Sequence, residues 1–218
     1  MAEDLEVETY LSISPHKFGI YLLNKKNFSN LYREEMLLSN QNEEVDLNVL
    51  NTFLEKNIFS IEKLIGKFIE NISLIIEINN IFNLNFCINK KNYDHKINYK
   101  FLENILIDAK DLYKENYKEQ KILHILISRY LVDNNQFLSF NDNIKGENLC
   151  VEINIKSISN NIIFEIDKIL ERFQIKIIHY LDGTYIKKQF KEENIELSLM
   201  AHKIINGNNP NEVLIVNK

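Results

Sequence analysis

The sequence predicts an α+β fold: a mixed sheet with helices, joined to a smaller module of strands and helices. Three features carry that expectation. Residues 9–38 hold three runs rich in Leu, Ile, Tyr and Phe, parted by turn residues. Asp46 then precedes Leu47, Leu50, Leu54, Ile58, Ile61, Ile65 and Phe68, which recur at helical spacing behind a good N-cap. Beyond a polar stretch at 89–100 the pattern becomes helix, strand, strand, helix, strand. With 5 Gly and 2 Pro in 218 residues, little of the chain is left for flexible linkers.

The opening strands are expected at 9–13, 17–23 and 30–38, turned at Ser14-Pro15-His16 and at 24–27. Ser60 marks a restart or kink of the first helix, and Gly66 marks close packing or an interruption. Residues 73–78 read as a buried strand and Asn79-Asn80 as a turn. Residues 81–88 alternate apolar and Asn residues, a strand with one polar face. NKKNYDHKINYK, residues 89–100, reads as a solvated boundary loop. Its Lys and Tyr would also suit stacking on single-stranded nucleic acid. Phe101, Ile105, Ala109 and Leu112 share a helix face. Strands at 121–133 and 149–159 follow, joined by a loop holding Ile144 and Gly146. Asn160-Asn161 caps a helix burying Ile162, Ile166, Ile169, Leu170 and Phe173, and a strand at 175–181 comes next. Asp182-Gly183 precedes a long helix, 184–205, ended by Gly207 and Pro210. A short strand at 212–216 closes the chain.

Composition narrows the function classes. The net charge of -5 argues against a nucleic-acid surface, which wants a basic face. Cys87 and Cys150 have no metal-ligand spacing and fit buried thiols in a reducing compartment. The acidic start, MAEDLEVET, lacks the apolar core of a signal peptide, and apolar runs such as 72–78 fall far short of a membrane span of about 20 residues. The expected location is cytoplasmic.

The second module carries most of a family likeness, in "KILHILISRYLVDNNQF", "IKGENLCVEINIKSIS" and "IIFEIDKILERFQIKIIHYLDG". In this order and apolar pattern the chain resembles the FtsA family, the bacterial cell-division homologues of actin, over nearly its whole length. The resemblance implies a truncated actin-like (ribonuclease H-like) mixed sheet begun in residues 1–96. It implies an SHS2-like interaction subdomain, helix-strand-strand-helix-strand, inserted at 97–182. A returning helix and strand at 183–218 would pack on the first subdomain.

Actin-like ATPases carry Asp-x-Gly-Thr/Ser-x-Lys at the opening hairpin. The Asp acts around the metal and its waters, Gly admits the phosphates to the backbone, and hydroxyl and N–H groups bind phosphate oxygens. Here Ser12 stands for the Asp, Ser14 for the Gly and Pro15 for the Thr, with Lys17 alone retained. The carboxylate is lost, and Pro15 has no N–H to donate. At the far end Asn217 takes an Asp position, and the second, Gly-rich phosphate loop is not expected, nor are the adenosine-binding subdomain and the family's amphipathic membrane helix. The resemblance therefore implies a pseudo-ATPase: no cofactor, no metal, no catalytic residue.

Other chemistry is sparse. His16, His95, His124, His179 and His202 show no metal-binding spacing, although His124 and His179 alternate within strands and are expected to share one sheet surface. Glu34-Glu35 and Glu43-Glu44 read as solvated charges. What remains is a protein-binding surface, since a sheet edge accepts a partner's strand or a neighbouring copy. The candidate contacts are Arg129, Tyr130, Asp133, Ile144 and Gly146. The expected function is an FtsA-like adaptor or scaffold in cell division, binding division proteins or itself, peripheral to the inner membrane through its partners. The alternatives are an incomplete ATPase completed by a partner chain, and a scaffold of pilus or secretion assembly.

Overall fold

The computed structural model describes residues 6–39, 44–93, 97–133, 135–138, 145–191, 194–207 and 212–213. In chain order the elements begin with β1 (Val7–Ile13), β2 (Lys17–Asn24), β3 (Asn30–Leu37), α1 (Leu47–Ile65) and β4 (Asn71–Ile76). There follow β5 (Phe82–Lys91), α2 (Tyr99–Asn116), β6 (Gln120–Val132), β7 (Asn135–Phe137) and β8 (Asn148–Ser159). The last are α3 (Asn160–Glu171), β9 (Lys176–Asp182), α4 (Gly183–Gln189), α5 (Leu197–Ile205) and β10 (Glu212–Val213). The chain divides into two compact units: residues through Asn80 with Asn161–Asn206, and Ile81–Asn160 with Gly207–Ile215.

The first unit is built on a sheet of order β3-β2-β1-β4-β9. Its first three strands form an antiparallel meander, and β4 and β9 then add parallel to β1 and to each other. This is a mixed sheet in an α+β arrangement, as the sequence predicted. The middle strands are buried on both faces, so apolar residues fall on both sides of them, as at Tyr10, Leu11, Ile13, Phe18, Ile20, Leu74 and Ile75. Helix α1 makes the crossover from β3 to β4. Asp46 caps it, its carboxylate accepting from the N–H groups of Asn48 (3.0 Å) and Val49 (3.1 Å). Gly66, at φ 70°, stops it and donates its N–H to Glu62 O (2.8 Å). The helix therefore ends before Phe68, which is 82% exposed.

The second unit follows β4 in sequence and is a sheet of order β10-β6-β8-β5, with β7 pairing β6. Leu102, Ile105, Leu106, Ala109 and Tyr113 of α2 pack against Ile125, Ile127, Tyr130, Val151, Ile153 and Ile155. Tyr113 shares a 2.5 Å hydrogen bond with Ser157 inside this core.

Several expectations are corrected. The second unit is β5, α2, β6, β7 and β8, joined by β10, while α3 and β9 belong to the first. Residues 97–182 are thus not one module, because β9 completes the parallel ladder beside β4. The boundary loop shrinks, with β5 running to Lys91 and α2 starting at Tyr99. Leu112 is half exposed, since the buried face of α2 turns on Tyr113 instead. The long helix at 184–205 is two helices: Phe190 ends α4 with its ring buried, and the Glu196 carboxylate at the start of α5 is drawn to Arg33 (2.6 Å) and Asn30 (2.8 Å) on β3. β10 pairs with β6, not with the first sheet. Cys87 and Cys150 form a disulfide between β5 and β8. Cys87 lies opposite Glu152 and Cys150 opposite Asn89, diagonal neighbours on the face turned from the core, and Cys87 is exposed.

Candidate functional site

The β1–β2 turn is where an actin relative would meet its phosphates. Its strands pair up to Ile13↔Phe18, leaving a short connection. Ser14 closes it three ways. Its N–H donates to Lys17 O (2.9 Å), its hydroxyl donates to the same oxygen (3.0 Å), and its Oγ accepts from Lys17 N–H (2.9 Å). Ser14 thus engages both its own N–H and that of Lys17 within the turn. Pro15 has none. Outside the turn, His16 O accepts from Leu38 N–H (2.8 Å), tying it to the strand end beyond. Ser12 lies buried within the sheet, between Gly19 and Ile75.

Lys17, the retained residue, is engaged elsewhere. Its Nζ donates to Glu35 Oε1 (2.8 Å), which also accepts from Tyr21 OH (2.5 Å), while Arg33 reaches Glu35 Oε2 (3.1 Å). Register explains the cluster. Gly19 pairs with Glu35 and Lys17 with Leu37, so Lys17, Tyr21, Arg33 and Glu35 share one face of the β2–β3 ladder. Gly19 leaves the room, for a Cβ there would come 2.5 Å from the Tyr21 hydroxyl. Burial pushes the Glu35 carboxyl up, but hydrogen bonds from Lys17, Tyr21 and Arg33 outweigh it and hold the group at about 2. Glu35 is accordingly no solvated surface charge, as Glu34-Glu35 was expected to be; it is the centre of a network that composition could not reveal.

A cleft of about 300 Å³ opens beside the turn, lined by Ser14, Pro15, His16, Glu77, Ile78, Asn79 and Thr184. Its one carboxylate, Glu77, pairs with Lys187 (2.5 Å). A phosphate placed here would face a carboxylate and a self-bonded turn. A second cavity, about 330 Å³, lies at the opposite end of the parallel strands, with Glu8, Ser73 and His179 among its walls. His179 Nδ1 and Ser73 Oγ stand 3.1 Å apart, and burial lowers the imidazole's pKa more than the Glu8 carboxylate raises it.

The interaction candidates fall on the end of the second sheet. Tyr130 is buried in its core, so it packs the unit and presents no surface. Asp133, at φ 44°, accepts from the N–H groups of Glu147 (3.0 Å) and Asn148 (2.9 Å) and from the Asn148 side chain (3.2 Å). Gly146 O accepts from the buried Asn92 side chain (3.1 Å), and a Cβ on Gly146 would strike Asp133 at 2.6 Å. Asp133 and Gly146 therefore build the connection. Arg129 lies on the outer face, paired with Glu152. Ile144 lies outside the described residues, as do His95, Glu43 and Asn217.

The remaining histidines are dispersed. His124 is on β6 and His179 on β9, so they belong to different sheets and share no surface. His202 Nδ1 meets Glu8 Oε2 at 2.7 Å. Among the described residues no group of three or more His, Cys, Asp or Glu could hold a metal, and no helix is long and apolar enough to cross a membrane.

No protein-family model matches the chain, and no curated protein matches its sequence. Solved structures are similar at low identity. The cytoplasmic domain of EpsL, an inner membrane component of the type II secretion system of Vibrio cholerae, is 6% identical, with a TM-score of 0.39 over 83% of this chain and 57% of that one. A chain of the PilM–PilN type IV pilus biogenesis complex is 10% identical, with a TM-score of 0.48 over 85% and 52%. A protein of Bacteroides thetaiotaomicron with an actin-like ATPase fold and unknown function is 10% identical, with a TM-score of 0.35 over 88% and 59%. The chain spans little more than half the length of each.

Proposed function

We propose that this chain is a non-catalytic, actin-like adaptor that binds protein and leaves nucleotide unbound. One observation carries the reading: Ser14 and Lys17 bond to each other across the β1–β2 turn, and the Lys17 side chain is held by Glu35. Phosphate recognition needs free N–H donors and a cation aimed at the ligand. Freeing Lys17 would take from Glu35 one of its three hydrogen bonds, leaving those from Tyr21 and Arg33. The FtsA-like sequence pattern supplies cell division as the setting, at the inner membrane through partners. Pilus or secretion assembly is the competing setting, and the proteins that co-purify from the source cell decide between them.

Calorimetric titration of the full chain with ATP and magnesium tests the adaptor reading. No saturable binding is expected, and Lys17→Ala leaves the trace unchanged. Micromolar binding that requires both magnesium and Lys17 overturns the proposal. Nucleotide held only when a second chain is present overturns it too, in favour of an ATPase assembled from two chains.

A further inference from the structure

We infer that two copies of this chain join edge to edge through β5, running antiparallel, so that the second unit's sheet continues from one copy into the other. The pairing is independent of whether the chain binds nucleotide. β5 is the outermost strand on its side, and among the described residues no strand pairs with its outer edge. Long edges ordinarily carry a central charge, a proline or a bulge that blocks further pairing. β5 has none of these from Phe82 to Ile88, FNLNFCI, and its ladder with β8 is unbroken from Phe82↔Ser157 to Lys91↔Asn148. Of the two outer strands of the first sheet, β3 has Arg33, Glu34 and Glu35 at its middle and a register shift against β2, and β9 has a register shift against β4.

The flank of the strand is also apolar. Leu84, Phe86 and Ile88 pack on the core yet stay half covered, and Phe82 is 39% exposed. Asp108 of α2 takes Lys90 of β5 (2.7 Å), so Leu112, one turn further along and 49% exposed, stands on the same side of the helix. A strand added to β5 would cover this strip.

The occupant follows from the strand's complementarity to itself. In an antiparallel pair centred on Asn85, Leu84 lies opposite Phe86 of the second copy, Phe82 opposite Ile88, and Asn83 opposite Cys87. Apolar residues then meet on the core face and polar residues on the other. Lys90 and Lys91 fall beyond the partner strand. Parallel, in-register pairing would set each lysine beside its own copy, which like charges oppose. The contact is isologous, so it closes at two copies.

Sedimentation equilibrium on the full chain is the test. A reversible monomer–dimer equilibrium is expected. Asn85→Lys and Asn85→Glu each set like charges across the two-fold axis and are expected to weaken the dimer by about tenfold. Asn85 is exposed, so circular dichroism should show both variants folded. An equimolar mixture of the two should recover the dimer, because opposite charges then face each other. A chain that stays monomeric at every concentration, a dimer indifferent to both substitutions, or a mixture that fails to recover overturns the inference.

Discussion

The Ser14–Lys17 turn of the first unit and the Asp133–Asn148 end of the second are built alike and were expected to act differently. Both are closed by a side-chain oxygen that accepts backbone N–H groups: Ser14 Oγ from Lys17 in one, the Asp133 carboxylate from Glu147 and Asn148 in the other. The first had been read as a failed phosphate site and the second as a docking loop. In both, the residues that attract attention as chemistry serve the connection itself. They differ in what stands behind them. The first is backed by charge, with Lys17 held in the Glu35 network. The second is backed by the core, with Tyr130 and Val132 buried just before Asp133. A residue type therefore says little about availability until its hydrogen bonds are accounted for.

The greatest damage should come from breaking the second region through its core. Tyr130→Ala removes a side chain that is 1% exposed and should cost about 3–5 kcal/mol, by analogy with large aromatic truncations. Denaturant unfolding measures it. A loss within the range of surface substitutions would return Tyr130 to the list of contact residues.

A smaller, pH-dependent effect belongs to the first region. The Glu35 carboxyl sits at about 2 in the folded chain against an ordinary value of 4.5. Its contribution is complete above the ordinary value and is lost as pH falls from there through about 2. The urea midpoint of the native chain should therefore fall across that window more steeply than that of Glu35→Gln. Parallel curves would mean that the network does not hold the carboxylate. The smallest effect is expected at Arg129→Ala. Its partner Glu152 is on an exposed face, where ion pairs contribute little, and the unfolding midpoint should not move measurably. A clear shift would show that the second connection leans on charge as the first does.

Much of the fold was legible in the residues. Asp46 announced α1 and caps it, and the apolar-rich run at 73–78 announced the buried strand β4. The functional layer was less legible. The Lys17–Glu35 pair could be foreseen only with the β2–β3 register in hand, because Lys17 lies two ladder positions from the residue opposite Glu35. Cys87 and Cys150, separated by 63 residues, show no pairing signal until β5 and β8 lie side by side.

The amino-acid order by itself determined most of the helices and strands and most of the residues they bury, because those follow from local periodicity and caps. It also determined that the opening turn would hold Pro15, without an N–H to give. Tertiary structure decided the rest: that β9 and not β10 completes the first sheet, that β5 is an outer strand among the described residues, and that Ser14 and Glu35 engage the backbone and side chain of Lys17. Those outcomes depend on strand neighbours distant in sequence, and an apolar pattern specifies that a face is covered without specifying what covers it.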